Sequence, residues 1–279
     1  MPYRILPPVV DSVKHVVGSR LTLFNPRLPS EAAAGESGTP PGVPTTQEPH
    51  HHLVLENPYV KVFEVEVGPH DATVMHYHLY DYIYIVIGDA DLTDTVAGKP
   101  ELNAKVPDLT VGFSPGHAHI AANNGSTAFR NITIELLRPQ GEMKKFHPTI
   151  NAALSACTPD AKGIRQVSLL ETDEMRVVTA GIASSCSWSA ADDGRDRLVI
   201  MVDKIHDTSG AKEKNSPFPA GMLSWVPSGT SWRVANRFRK EMKLMVLEFK
   251  DTAGYQSMGA GRVSGGHSSL RFEGHNAKA

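Results

Sequence analysis

Apolar residues recur at every second position along much of the chain, in short runs closed by glycine or proline. Val60–Val67 puts Phe63, Val65 and Val67 on one face and Glu64 and Glu66 on the other, and stops at Gly68-Pro69. This is the period-two pattern of a half-exposed strand. A second run, Tyr82 to Ile87, is apolar or aromatic at every position and ends at Gly88. The same reasoning predicts strands over 129–137, 175–182, 197–202, 222–226, 231–235 and 242–249. Turn signals recur at Gly88-Asp89, Ala97-Gly98-Lys99-Pro100 and Val106-Pro107-Asp108, the spacing of small antiparallel barrels and sandwiches. The best helical candidate is a short connector over 142–155.

Both ends and one internal stretch depart from this rhythm. Residues 1–29 hold short apolar runs cut by prolines and predict one or two edge strands. Residues 30–48 turn to Ala, Gly, Pro, Ser and Thr with little to bury, the composition of a linker. His50-His51-His52 follows; consecutive strand positions point to opposite faces, so the three predict a polar entry loop rather than one metal site. From Asp251 on, Gly, Ser and His predict a poorly ordered tail.

Composition narrows the function. A formal net charge of −2 gives no basic footprint for a phosphate backbone, so nucleic acid is not an expected partner. Two cysteines, Cys157 and Cys186, make no disulfide framework and no zinc-finger spacing, which fits a reducing compartment. The proline-broken opening is no secretory signal and no apolar stretch is long enough to span a membrane, so the expectation is a soluble, cytoplasmic protein acting on a small molecule. Exposed sheet edges make a homo-oligomer plausible.

Chemistry concentrates just before the second apolar run. In Met75-His76-Tyr77-His78, the two histidines stand one residue apart on an extended backbone, where alternate side chains share a face and can reach one ion. Alternation then predicts that Asp81, Ile83, Ile85 and Ile87 share the inward face, with the carboxylate at the mouth of an apolar interior.

These residues resemble the cupin superfamily. Gly68, His76, His78, Asp81 and Gly88 are similar to its first motif of a glycine, an H-x-H pair, a glutamate and a later glycine. Two departures stand out: aspartate replaces glutamate, and the turn between His78 and the carboxylate is shorter than usual. Pro115, Gly116, His119 and Asn123 resemble the second motif, P-x-G-x-x-H-x-x-x-N, one residue short between proline and histidine. That match implies His119 as the third ligand, with His117 on the same strand face as its substitute or as a group that supports the ligands from behind. In the second half Pro227, Gly229 and Asn236 match the second motif with Trp232 in the histidine position, and Cys186 and Trp188 stand for the H-x-H pair.

The resemblance implies an all-β fold of two tandem cupin barrels, that is, double-stranded β-helix or jelly-roll barrels. Their expected bounds are an arm and linker over 1–48, a metal-binding barrel over 49–140, a connector over 141–165, a degenerate barrel without metal over 166–252 and a flexible tail over 253–279. It implies one divalent transition metal on His76, His78, Asp81 and His119, with Fe2+ favoured and Zn2+, Mn2+, Ni2+ or Cu2+ open, because imidazole does not select among them. Asp81 is either a ligand or a catalytic base. Ile83, Ile85, Phe63 and His117 are the expected substrate wall. The implied function is a non-haem iron dioxygenase acting on a small chelating organic substrate. The alternatives are an oxygen-independent isomerase or lyase and a non-enzymatic ligand-binding bicupin.

Overall fold

Where hydrophobic alternation predicts strands, strands form. The computed structural model describes residues 40–190, 193–203, 222–250 and 262–263; the strands expected within residues 1–29 lie outside them, as does most of the expected tail. The chain separates after Gly38, and everything below concerns the unit Thr39–Ala279. The first half carries β1 (Val43–Pro44), β2 (His51–Glu56), β3 (Val60–Val67), β4 (His76–Tyr77), β5 (Tyr82–Val86), β6 (Ala90–Val96), β7 (Leu102–Val106), β8 (Val111–Ser114), β9 (Ala118–Asn123) and β10 (Phe129–Leu136). After β11 (Lys145–Phe146) and a short helix α1 (Ile150–Ser155) come β12 (Ile164–Glu171), β13 (Met175–Ile182), β14 (Ser187–Ala190), β15 (Arg197–Met201), β16 (Leu223–Val226), β17 (Trp232–Ala235) and β18 (Met242–Phe249). A last pair, β19 (Arg262–Val263), falls in the expected tail and pairs with Leu55 and Glu56 of β2.

The halves repeat one strand order. The large sheet of the first runs β2-β3-β10-β5-β8, and that of the second runs β12-β13-β18-β15-β16. Facing the first is β1-β4-β9-β6-β7, and beside the second stands the pair β14-β17. The asparagines that close the second motif do the same work in each half. Asn123 Nδ2 donates to the carbonyls of Val67, Gly68 and Thr127, while Asn236 Nδ2 donates to those of Ile182 and Lys240. Each thereby ties the end of a β9-type strand to its large sheet.

Each half has its own interior. Phe63, Val65, Val67, Val86 and Phe129 form one in the first half. The second interior is filled with Ile182, Val199, Met201, Trp232, Leu244 and Val246, against which Cys186 and Trp188 pack. The outer faces of the large sheets are buried too: Ile83, Ile85 and Ile134 are fully enclosed, as are Leu198, Ile200 and Leu247. A sheet buried on both faces is encoded by continuous apolar runs rather than alternation. Tyr59 bridges the halves: its ring lies 5.4 Å from Trp225 and 4.9 Å from Phe249, and its hydroxyl donates to Asp196 at 2.7 Å.

Three expectations shift. Residues 43–48 are not linker: β1 pairs in parallel with β4, and Thr45 and Glu48 are buried. The connector helix is confined to Ile150–Ser155, since Pro148 disfavours helix just before it. And Ala190 lies across from Trp232, as His76 lies across from His119. The partner of Trp232 is therefore not Cys186 or Trp188, although Trp188 packs edge-on against Trp232 at 4.9 Å.

Candidate metal centre

Four histidines from three stretches of chain meet inside the first half. His76 on β4 is opposite His119 on β9, and their ring centroids stand 4.5 Å apart. His78 lies 5.2 Å from His76 and 5.4 Å from His119. The structure thus brings the three sequence-predicted rings together. It adds His51, the first residue of β2, whose ring is 4.6 Å from that of His76. One ring nitrogen each of His51, His76 and His78 fall within 4.8 Å of one another, and Asp94, His117 and His119 make a second such group.

Each of the four rings is held from behind by Nδ1. His51 Nδ1 donates to Glu48 at 2.7 Å, His78 Nδ1 to Glu135 at 3.0 Å, His119 Nδ1 to Asp94 at 2.8 Å and His76 Nδ1 to the carbonyl of Val74 at 2.9 Å. With Nδ1 so engaged, Nε2 is the lone-pair nitrogen on each ring. Metal-binding histidines characteristically donate their other ring N–H in this way, to a carboxylate or a backbone carbonyl that fixes the ring. His76 Nε2 is buried without any hydrogen-bond partner. A buried polar atom left alone costs roughly 1–3 kcal/mol, and an ion among these nitrogens would remove that cost. The residues fit a transition metal.

Electrostatics keep the nitrogens available. Burial, then the neighbouring imidazoles of His119 and His51, bring His76 down to about 3. The same causes push His78 well below ordinary histidine, and burial lowers His51 against the pull of Glu48. Burial pushes Glu48 up, but hydrogen bonds from His51 and His50 outweigh it and hold the carboxyl at about 2. Burial alone dominates at Glu135, which rises to about 7. At neutral pH the rings of His51, His76 and His78 are therefore uncharged, the form that binds metal.

The inner face of β5 is not the one alternation predicts. Tyr82, Tyr84 and Val86 line a chamber of about 160 Å³ that also meets His51, His76, His78 and His119. Asp81, Ile83 and Ile85 are not among its walls. Tyr82 lies opposite Glu135, and Tyr84 opposite Thr133, whereas Ile83 and Ile85 are sealed on the other side of the sheet. The turn at Leu79 and Tyr80 is one residue longer than the alternation assumed, and a one-residue slip exchanges the faces. The carboxylate expected at Asp81 is therefore absent from the donor groups, and the ring of Tyr82 stacks on His78 at 4.1 Å in the place expected for it.

Two other expected residues stand near the site without lining the chamber. Phe63 is fully buried and meets His51 edge-on at 6.0 Å, backing the histidine. His117 accepts its place from neighbours on its own loop, with Nδ1 donating to the carbonyl of Pro115 at 2.9 Å, and sits 4.9 Å from His119. The residues that sequence reasoning missed are His51, Glu48, Asp94 and Glu135. Only His51 carried a signal, as the middle of three adjacent histidines.

The remaining chamber walls are mostly apolar, among them Val65, Leu92, Leu102, Val106 and Phe129, with Asn131, Thr73, Thr93 and Thr133 as neutral polar groups and Asp94, bonded to His119, as an acidic one. No lysine or arginine lines it among the described residues. No helix among the described residues is long and apolar enough to cross a membrane.

No protein-family model matches the chain, and no curated protein matches it in sequence. Solved structures do. The salicylate 1,2-dioxygenase of Pseudaminobacter salicylatoxidans superposes with a TM-score of 0.51 at 10% identity, over 72% of this chain and 76% of that one. A cupin 2 conserved barrel domain protein from Leptotrichia buccalis gives 0.46 at 10% identity, over 77% and 92%. A cupin domain from Bordetella pertussis Tohama I gives 0.29 at 22% identity, over 33% and 97%. At such identity the first match shows a shared fold, the jelly-roll barrel that the cupin-like motifs imply.

Proposed function

We propose that this chain is a metal-dependent bicupin oxygenase, its ion held in the first barrel by His76, His78 and His119, acting on a small and largely apolar substrate with a chelating end. The observation that carries this reading is the geometry of the imidazoles: Nδ1 of each is engaged from behind, and His76 Nε2 is buried with nothing to bond. Bound there, iron(II) would supply a centre at which a chelating substrate and dioxygen meet, since nitrogen ligands alone leave open positions on the ion.

The chain's own residues define what enters. Val65, Leu92, Val106 and Phe129 bury a hydrocarbon body, at about 25 cal/mol per Å² of apolar surface removed from water. Asn131 and Thr133 offer neutral hydrogen bonds. The structure that shares the fold is by name a salicylate dioxygenase, which supports an oxygenase. The described walls carry no lysine or arginine, so the ion itself would supply the positive charge that meets the chelating end of a 1,3-dicarbonyl or a catechol. The second barrel, packed with Trp188 and Trp232, serves as support.

The test is elemental analysis of purified protein combined with oxygen uptake on neutral 1,3-dicarbonyls and catechols. Stoichiometric iron, oxygen consumption and loss of both in His76→Ala are expected. Full turnover on zinc without oxygen would replace the oxygenase with an isomerase or lyase. Retention of the small molecule after chelation, with no turnover, would leave a binding protein.

A further inference from the structure

The His50-His51-His52 run has no part in the function proposed above, yet its middle member stands among the rings of the site. On β2, His52 is exposed and His51 is buried opposite Val65, so the strand sends one of the three inward. The carboxylate of Glu48 is wholly enclosed, with both oxygens committed. Oε2 accepts from His51 Nδ1 at 2.7 Å and from the His50 backbone amide at 2.8 Å. Oε1 accepts from His50 Nδ1 at 3.0 Å and from the Val74 amide at 3.1 Å. Since the Val74 carbonyl in turn fixes His76 Nδ1, one carboxylate aligns two imidazoles from separate strands.

We propose that His51 is a fourth metal ligand, positioned by Glu48, and that it takes the role for which the sequence offered the carboxylate of Asp81. This rests on the metal reading of the preceding subsection. Its ring nitrogen lies within the same 4.8 Å span as those of His76 and His78, and Glu48 treats it as Glu135 treats His78 and Asp94 treats His119. The resulting set is four neutral nitrogens with no directly bound anion. Such a set suits iron, copper, nickel or zinc better than manganese, which prefers carboxylate oxygen. It leaves two open positions on a six-coordinate ion, enough for one substrate oxygen and dioxygen together or for both oxygens of a chelating substrate.

Copper(II) added to the metal-free, full-length protein is the probe, and pulsed electron paramagnetic resonance counts the imidazoles coupled to it. Wild type should show four, and His51→Gln three, with an affinity for copper(II) at least roughly tenfold lower. Glu48→Gln should keep the count at four while affinity falls by roughly 10–100-fold, as for loss of an outer-shell partner. Three imidazoles in wild type would overturn the assignment of His51 while leaving the metal site standing, and this needs no variant to fold. A His51→Gln protein with unchanged count and affinity would do the same. No copper binding by wild type at all would overturn the metal reading and this inference together.

Discussion

Asp81 and Tyr82 are neighbours in the chain with opposite surroundings. Burial alone raises the Asp81 carboxyl above the ordinary carboxylate range, whereas Tyr82 stacks on His78 inside the chamber. Asp81→Asn should therefore leave metal content unchanged by elemental analysis; metal-free Asp81→Asn protein would show that the carboxylate reaches the ion after all. His76, His78 and His119 were legible because two motifs fix their spacing. The inward face of β5 was not, since Tyr82-Ile83-Tyr84-Ile85-Val86 is apolar on both sides and alternation has nothing to distinguish them. Glu48 and Glu135 were invisible for another reason: they meet their histidines across 3 and 57 positions of chain, and nothing local marks a carboxylate as a partner.

At the scale of elements, strands with a polar face were legible, and those built from two-sided contacts were only counted. Residues 43–48 read as linker because their composition holds little to bury, yet β1 and the turn after it dock on β4 through backbone pairing and the Thr45 hydroxyl, which donates to the Tyr77 carbonyl at 2.8 Å. Backbone pairing leaves no trace in composition. In the second half, β17 sends Trp232 into the core, 2% exposed and against Trp188. Trp232→Ala should lower the unfolding free energy in urea by about 3–5 kcal/mol, the range for removing a large buried aromatic, with metal content retained by whatever fraction stays folded. Between the halves, Tyr59→Phe removes the donation to Asp196 and should cost about 1 kcal/mol, the net worth of one such hydrogen bond.

For the whole molecule, the buried imidazoles make stability depend on acid. His51, His76, His78 and His117 all titrate below the ordinary 6.5. Below that pH the unfolded chain takes up protons that the native one refuses, so stability is full above about 6.5 and drains as the pH falls, for His76 down to about 3. Glu135 runs the other way between its ordinary 4.5 and about 7, where the native state keeps a proton that the unfolded chain has lost. Glu64, Asp81, Asp203 and His50 are raised as well and act with Glu135, but His76, brought down to about 3, and His78, well below the ordinary value, shift furthest, so thermal unfolding of metal-free protein should show a midpoint that drops from pH 7 to pH 5. A midpoint rising over that range would contradict the burial of these rings.

The repeated strand order sets Glu135 and Glu248 at matching places. Glu135 lies between Lys61 and Tyr82 in its sheet, and Glu248 between Arg176 and Arg197. In one half the inward carboxylate steadies an imidazole that waits for a cation from solution. In the other it bonds the guanidinium of Arg197, which is almost fully enclosed. The second half thus carries its positive charge as part of the polypeptide, and no chelator can withdraw it. Metal supply is then the concern of half the molecule only. Chelation should expose amides around β4 and β9 to hydrogen exchange while those of β15 and β18 keep their protection.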